Sequence, residues 1–373
     1  MKYSSSTDEL AGKIASVTLK GTPKEEANEK EKEIVAPAPS PQVDQNQEIL
    51  ARACQALCYP RGCIAPMQQI LKGVVFHQEL GQGSLSIVFL VSFPHQKSPV
   101  ALKLCKFKRD PDCRVTGYSK ERDGGEMLSI NLKSPYLVKT HALLAVNSDN
   151  QLEWIQNPAA RKTESGAIVA VVQEYVPEAR RLFDDIVQGK INSAKKGREV
   201  ASSIALGLYD LHKKFNMPHR DVKPENILMG KTGIKIIDFS FLTRKEKTQS
   251  RCGSPAYLAP EVVCADETEY DAKLVDAFSF ATLLFVMRFW KSPWWTLKEA
   301  DMASHLDLLL SFYHNNGNLR DYFPKDIKAV DERDTQLFDL IGKLGTGDPK
   351  QRMSVVEAVE THPYFAHLKE KLV

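Results

Sequence analysis

The segment His219-Arg220-Asp221-Val222-Lys223-Pro224-Glu225-Asn226 constrains this chain more than any other feature. It runs straight into apolar Ile227-Leu228, and a second apolar stretch, Ile234 to Ile237, leads to Asp238. Short apolar runs split by a few turn residues read as paired strands. Such a pair presents the carboxylates of Asp221 and Asp238 at one edge. An acidic surface hairpin would explain neither the order nor the spacing of these groups.

The rest of the chain is organised around that segment. Residues 1 to 48 mix Lys with Glu and then run into Ala36-Pro37-Ala38-Pro39-Ser40-Pro41, with Tyr3 as their one aromatic. So little apolar surface cannot offset the entropy of ordering, and the segment reads as a disordered or partly helical tail. Ile49, Ala53 and Leu57 recur at helical spacing, so 49–73 reads as a helical extension that packs on the same chain. From Val74 the pattern changes to strands: Val74 to Phe76, Ser86 to Val91 and Val100 to Leu104. A helix is expected over Glu121 to Leu132 and another strand over Ile168 to Glu174, and beyond Leu182 the periodicity is mostly helical as far as His367. A strand-rich first part followed by a helix-rich second part gives an α+β class with two lobes.

Gly81-Gln82-Gly83-Ser84-Leu85-Ser86-Ile87-Val88 lies between two strand patterns. A dinucleotide-binding turn needs a following helix, so that reading is excluded. Glycines at 81 and 83 let backbone N–H groups approach phosphate oxygens without a Cβ in the way. Lys103, in Val100-Ala101-Leu102-Lys103, would bring an ammonium to the same phosphates. Such a lysine needs a helix carboxylate to hold it. Glu126 fits best, with Glu121 as its competitor.

Together these residues resemble the eukaryotic-type protein kinase family, whose signature places an Asn five residues beyond the Asp of a His-Arg-Asp loop. The resemblance covers about Val74 to Phe365. It implies a two-lobed fold, a small N-terminal antiparallel β-sheet lobe with one helix and a larger, mostly α-helical lobe. The kinase domain would span 74–367, divided into an N-lobe 74–173, a hinge 174–177 and a C-lobe 178–367. The implied reaction transfers the γ-phosphoryl of Mg-ATP to a protein Ser or Thr hydroxyl. Asp221 would orient and deprotonate the acceptor, Lys223 would stabilise the transferring phosphoryl, and Asn226 and Asp238 would hold Mg²⁺. The nucleotide would contact Gly81, Gln82, Gly83, Ser84, Val88, Ala101, Lys103 and Glu126, with Gln173, Glu174 and Val176 around adenine. Lys223 and Ser254 are similar to the serine/threonine branch. Cys252 to Glu261 resembles an activation segment closed by Ala259-Pro260-Glu261, with Glu261 paired to Arg352. Asp276 resembles the buried Asp that holds the catalytic-loop backbone. Arg220 implies a loop ordered by phosphorylation, at Ser250 first and Thr248 next, against the alternative of a loop held by contacts alone. Two positions depart from the pattern: Ser86 and Ser240 stand where the family carries glycine. A scaffold without catalysis is the first competing reading, and a small-molecule phosphotransferase of similar fold is the second.

Composition mainly excludes. A net charge of +3 in 373 residues gives no electrostatic case for nucleic acid. No stretch approaches the ~18 apolar residues of a membrane span; Phe278 to Trp290 is too short. The seven cysteines are irregularly spaced, and Cys54, Cys58 and Cys63 are a ligand short of a structural zinc site. They read as ordinary thiols in a reducing, cytoplasmic setting, with a bacterial effector inside a host cell left open. Protein substrates are the implied partners, and self-association through the N-terminal extension is left open.

Overall fold

The computed structural model describes residues 41–57, 59, 61–83, 85–94, 96–106, 118–146, 151–157, 167–264, 268–294 and 302–372, without the side chains of 41–44, 61–64, 118–123 and 302–305. The tail over 1–40, Cys58 and Ser84 lie outside the described residues. Two compact units emerge. One contains the chain up to Ile130 together with Lys139–Tyr175, and the other contains Asn131–Val138 together with Val176 onward.

The first unit is built on an antiparallel sheet of order β1-β2-β3-β6-β4-β5. Its strands are β1 (Val75–Gln82), β2 (Ser86–Ser92), β3 (Val100–Cys105), β4 (Thr140–Val146), β5 (Leu152–Ile155) and β6 (Ile168–Glu174). Every residue of β3 is buried, because both faces of the sheet are covered. On one face lie α1 (Pro41–Ala56) and α2 (Arg61–Ile70), whose Leu50, Ala53, Cys54 and Met67, with Leu71 just beyond, share an apolar cluster with Phe76, Val91, Leu102 and Val169. The Tyr59 hydroxyl donates to the Val169 carbonyl at 2.6 Å and fastens the connection between these helices to β6. On the other face Met127 and Ile130, from α3 (Tyr118–Ser129) and just beyond it, pack on Leu143, Ile168 and Val171.

Three boundaries differ from the sequence expectation. The first helix starts at Pro41, inside the expected tail, because Leu50 and Ala53 give its last turns a buried anchor. Strands β4 and β5 went unnoticed; Leu152–Ile155 lies in a stretch without clear alternation. Asn131–Val138, placed by sequence in the N-lobe, belongs to the second unit, where the Val138 N–H donates to the Ile236 carbonyl and the Ile236 N–H to Tyr136.

The second unit is largely helical. Its elements include β7 (Arg180–Arg181), α4 (Leu182–Val187), α5 (Ala194–Tyr209), β8 (Ile227–Gly230), β9 (Gly233–Ile236), β10 (Lys247–Thr248), α6 (Pro260–Val263), β11 (Tyr270–Asp271), α7 (Ala272–Phe289), α8 (Met302–His314), α9 (Glu332–Leu344) and α10 (Val355–Thr361). The strand pair expected between the His219–Asn226 segment and Asp238 is β8–β9, antiparallel from Ile227↔Ile236 to Gly230↔Gly233. Helix α7 is nearly all buried and starts under a cap in which Asp271 accepts from the Lys273 and Leu274 N–H groups. It carries the apolar run noted above, and among the described residues no helix is long and apolar enough to cross a membrane.

Candidate active site

In the first unit Lys103 sits inside β3, opposite Val88 and Val171, two residues before the strand ends. The strand runs one residue past the expected end at Leu104 because Cys105 also finds a buried place. Its Nζ lies 2.8 Å from Glu126 Oε1 of α3, with both residues buried. Of the two carboxylates weighed, Glu126 is thus the partner, and the Glu121 side chain lies outside the described residues. A buried pair of this kind becomes strongly destabilising when one member is removed, by about 3–5 kcal/mol, because the other charge is stranded.

Strand β1 runs through Gly81 and Gln82, and the Gly83 N–H donates to the Ser86 carbonyl at 2.8 Å to close the turn into β2. A Cβ on Gly83 would meet nothing nearer than that carbonyl at 4.0 Å. Packing therefore does not require this glycine; its bareness leaves the backbone approachable. Val88 is half-buried and Ala101 is buried on the neighbouring strands. Gln173 and Glu174 end β6, and the chain passes into the second unit between Tyr175 and Val176.

In the second unit the catalytic segment is held from below by α7. Asp276 Oδ2 accepts from the His219 N–H at 2.6 Å and Oδ1 from the Arg220 N–H at 2.7 Å. His212, in the irregular turn that extends α5, contacts Asp276 Oδ2 through Nε2 at 2.7 Å. These bonds hold Arg220 at φ 68°, and Asp238 is likewise left-handed at φ 64°. Non-glycine residues rarely adopt this region, and such strain gathers where a site must be fixed in advance.

Asp221 Oδ2 lies 2.8 Å from Lys223 Nζ and accepts from Asn226 Nδ2 at 3.0 Å. The second Nδ2 hydrogen of Asn226 goes to the Asp221 carbonyl at 2.8 Å. Both amide hydrogens are thereby committed, which leaves Oδ1 as the oxygen this side chain can offer. Among the described residues Asp221 Oδ1 is buried and accepts no hydrogen bond. An unpaired buried carboxylate oxygen is costly, and this one keeps its capacity to accept a hydrogen bond. Lys223 also donates to Ser254 Oγ at 2.6 Å, which ties the catalytic segment to the later loop. Gly253, at φ 110°, makes that approach: a Cβ there would come within 2.9 Å of the Arg220 carbonyl.

The Ser240 hydroxyl donates to Asp238 Oδ1 at 2.6 Å. The residue that departs from the family pattern thus orients the carboxylate expected to hold the metal. Among the described residues no group of three or more His, Cys, Asp or Glu could enclose an ion. The set present, Asn226 with Asp238, fits Mg²⁺ nonetheless, because this cation commonly takes one or two protein oxygens and completes its shell with phosphates and water.

Beyond the catalytic segment, Glu261 Oε1 and Oε2 accept from Arg352 Nη1 and Nη2 at 2.6 and 2.9 Å. The Arg220 guanidinium donates to the Phe241 and Ser250 carbonyls at 3.3 and 3.2 Å, and the Tyr270 hydroxyl also donates to the Ser250 carbonyl. Thr248 is buried in the β10–β11 pair, whereas Ser250 is half-buried. Burial pushes the Tyr257 phenol well above its usual range, with the Glu225 carboxylate adding to it. Sequence reasoning missed His212 and the left-handed residues. A lone histidine seven positions before His219 carries no signal of its own.

The chain belongs to the protein kinase family: the protein kinase domain matches residues 74–365. It is similar to the phosphorylase b kinase gamma catalytic chain, liver/testis isoform, of Rattus norvegicus, at 33% identity over 55% of this chain and 49% of that one. Serine/threonine-protein kinase CHK1 of Saccharomyces cerevisiae is 26% identical over 81% of this chain and 52% of its own length. The cAMP-dependent protein kinase type 3 of the same yeast is 29% identical over 77% and 63%. The chain spans about half the length of the curated relatives it matches first.

Proposed function

We propose that this chain is a serine/threonine protein kinase that transfers the γ-phosphoryl of Mg-ATP to a protein hydroxyl. The observation that carries the reading is the unpaired, buried Asp221 Oδ1, fixed by Lys223 and Asn226 on its other oxygen. A base so placed takes the acceptor proton and contributes about 10²–10⁴-fold. Lys223, already bound to Ser254, then faces the transferring phosphoryl, and this pairing favours an alcohol acceptor. Mg²⁺ bound through Asn226 and Asp238 would offset charge on the phosphates. Lys103, oriented by Glu126, would bind phosphate oxygens beneath Gly81 to Ser84. Val88, Ala101, Gln173, Glu174 and Val176 would surround adenine. The domain would run over 74–367 with its hinge at 174–177.

Labelled ATP–Mg²⁺ with a generic basic protein tests this. The wild-type chain is expected to phosphorylate serine or threonine, and Asp221→Asn to lose about 10²-fold or more in kcat. Nucleotide binding without any transfer would overturn the enzyme reading in favour of a scaffold.

A further inference from the structure

Three side chains of the first unit form a polar thread through an otherwise apolar layer. Gln173 Nε2 lies 3.4 Å from Thr140 Oγ1, Thr140 Oγ1 lies 2.8 Å from Ser129 Oγ, and Ser129 Oγ lies 2.7 Å from the carbonyl oxygen of Glu126. Ser129 is 0% exposed, Thr140 2% and Gln173 7%. Proton counting fixes the direction. The Glu126 carbonyl can only accept, so the single Ser129 proton goes to it. The Thr140 proton must then go to Ser129 Oγ, and Thr140 in turn accepts from the Gln173 amide N–H. Each hydroxyl accepts once and donates once, and every link polarises the next.

The backbone is arranged to allow this. In β4–β6 pairing Ala142 faces Val172, and regular register would set His141 opposite Gln173. A bulge inserts one residue between Thr140 and Ala142, so that Thr140 faces Gln173 instead. A serine bonding back to the carbonyl three residues earlier is an ordinary local feature of helices. An irregularity in a strand that delivers a second hydroxyl onto that serine is not.

We propose that Gln173, Thr140 and Ser129 are positioning residues: they hold the last turn of α3 so that the Glu126 carboxylate meets Lys103. The consequence for phosphoryl transfer rests on the kinase reading above, while the effect on the Lys103–Glu126 pair does not. Gln173 also has its amide orientation set by the thread: Nε2 gives one of its two hydrogens to Thr140, which leaves Oε1 on the other side of the amide as an acceptor.

Thr140→Val cuts the thread at its centre with little change of shape, and Thr140→Ser keeps the hydroxyl. Two readouts are taken on the full chain: the rate at which an amine-reactive reagent modifies Lys103, followed by peptide mass spectrometry, and kcat and KM for ATP. Members of one network are energetically coupled, so Thr140→Val should speed Lys103 modification by roughly threefold or more and lower kcat/KM by a similar factor. Thr140→Ser should stay within about twofold of wild type, below the usual coupling threshold. With Glu126→Gln already in place, Thr140→Val should change Lys103 modification no further. Equal acceleration in both backgrounds, or none in the wild type, would overturn the proposal. Ser129→Ala, a helix-compatible change, serves the same comparison if Thr140→Val does not fold. A wild-type chain that transfers no phosphate but shows the Lys103 pattern would refute the kinase reading and leave the thread standing.

Discussion

Asp276 in the second unit is surrounded by donors that the catalytic segment's own backbone supplies, whereas Glu126 in the first unit is placed by neutral side chains drawn from three separate elements. His219 and Arg220 are adjacent residues, and both N–H groups reach one carboxylate. Ser129, Thr140 and Gln173 come from a helix and two strands, and they meet because of a bulge. The first arrangement draws its backbone donors from two adjacent residues around a distant Asp276, and it costs local backbone strain. The second is encoded in sheet register and has no strained residue at its centre. Rigidity at one charged centre is therefore written locally, and at the other it is distributed.

The largest effect should come from breaking the local arrangement. Asp276→Asn turns one acceptor into a donor facing an N–H group or His212, and it removes the charge that holds Arg220 left-handed. Loss of about 3–5 kcal/mol of stability is expected in denaturant titration, as for a buried charged network losing one member. A loss below that of a surface change would mean that Asp276 does not hold the segment. Next is Gly253→Ala: φ 110° and a 2.9 Å approach to the Arg220 carbonyl make any side chain strained there. It should cost about 1–3 kcal/mol. Activity should fall with it, because the Lys223–Ser254 contact depends on the same approach; full activity with reduced stability would separate the two.

The legibility of the site follows the same division. Asp221, Lys223, Asn226, Asp238 and Asp276 could be named from the sequence because motif spacing alone sets the first four before and after one strand pair. Glu261 and Arg352 were named from family pattern and meet at 2.6 Å, a contact no local periodicity contains. Thr140 could not be found: a threonine opening an apolar strand looks like any other, and its role exists only once the bulge sets it against Gln173. Strand β5 was invisible because Leu152-Glu153-Trp154-Ile155 is short, half-buried and breaks alternation. Glu126 is favoured over Glu121 because it opens Met127-Leu128-Ser129-Ile130 ahead of the turn at Ser134-Pro135, and it is the carboxylate that lies 2.8 Å from Lys103.

A pH experiment sharpens the comparison at the bulge. Burial, with Lys139 next, pulls the His141 imidazole down from 6.5 to about 4. The folded state keeps it neutral where an unfolded chain would bind a proton. Stability should therefore be fully present above 6.5 and decline as pH falls toward 4, by at most about 1.4 kcal/mol per unit. His141→Gln should flatten that decline in urea titrations on either side of 6.5, and an unchanged slope would assign it to other groups. The smallest effect is reserved for an exposed pair. Lys231 and Glu178 have side chains 72% and 67% exposed, so Lys231→Ala should shift stability by no more than about 1 kcal/mol.

The helices α1 and α2 have a consequence for where this protein begins as a folding unit. The family match starts at residue 74, yet Leu50, Ala53, Met67 and Leu71 fill the sheet surface that Leu102 and Val169 would otherwise expose. A fragment trimmed to the matched residues would carry a bare apolar sheet face, a surface on which chains adhere to one another. Homology and cooperativity thus draw the border of this domain at different residues, and a soluble, assayable preparation should respect the second.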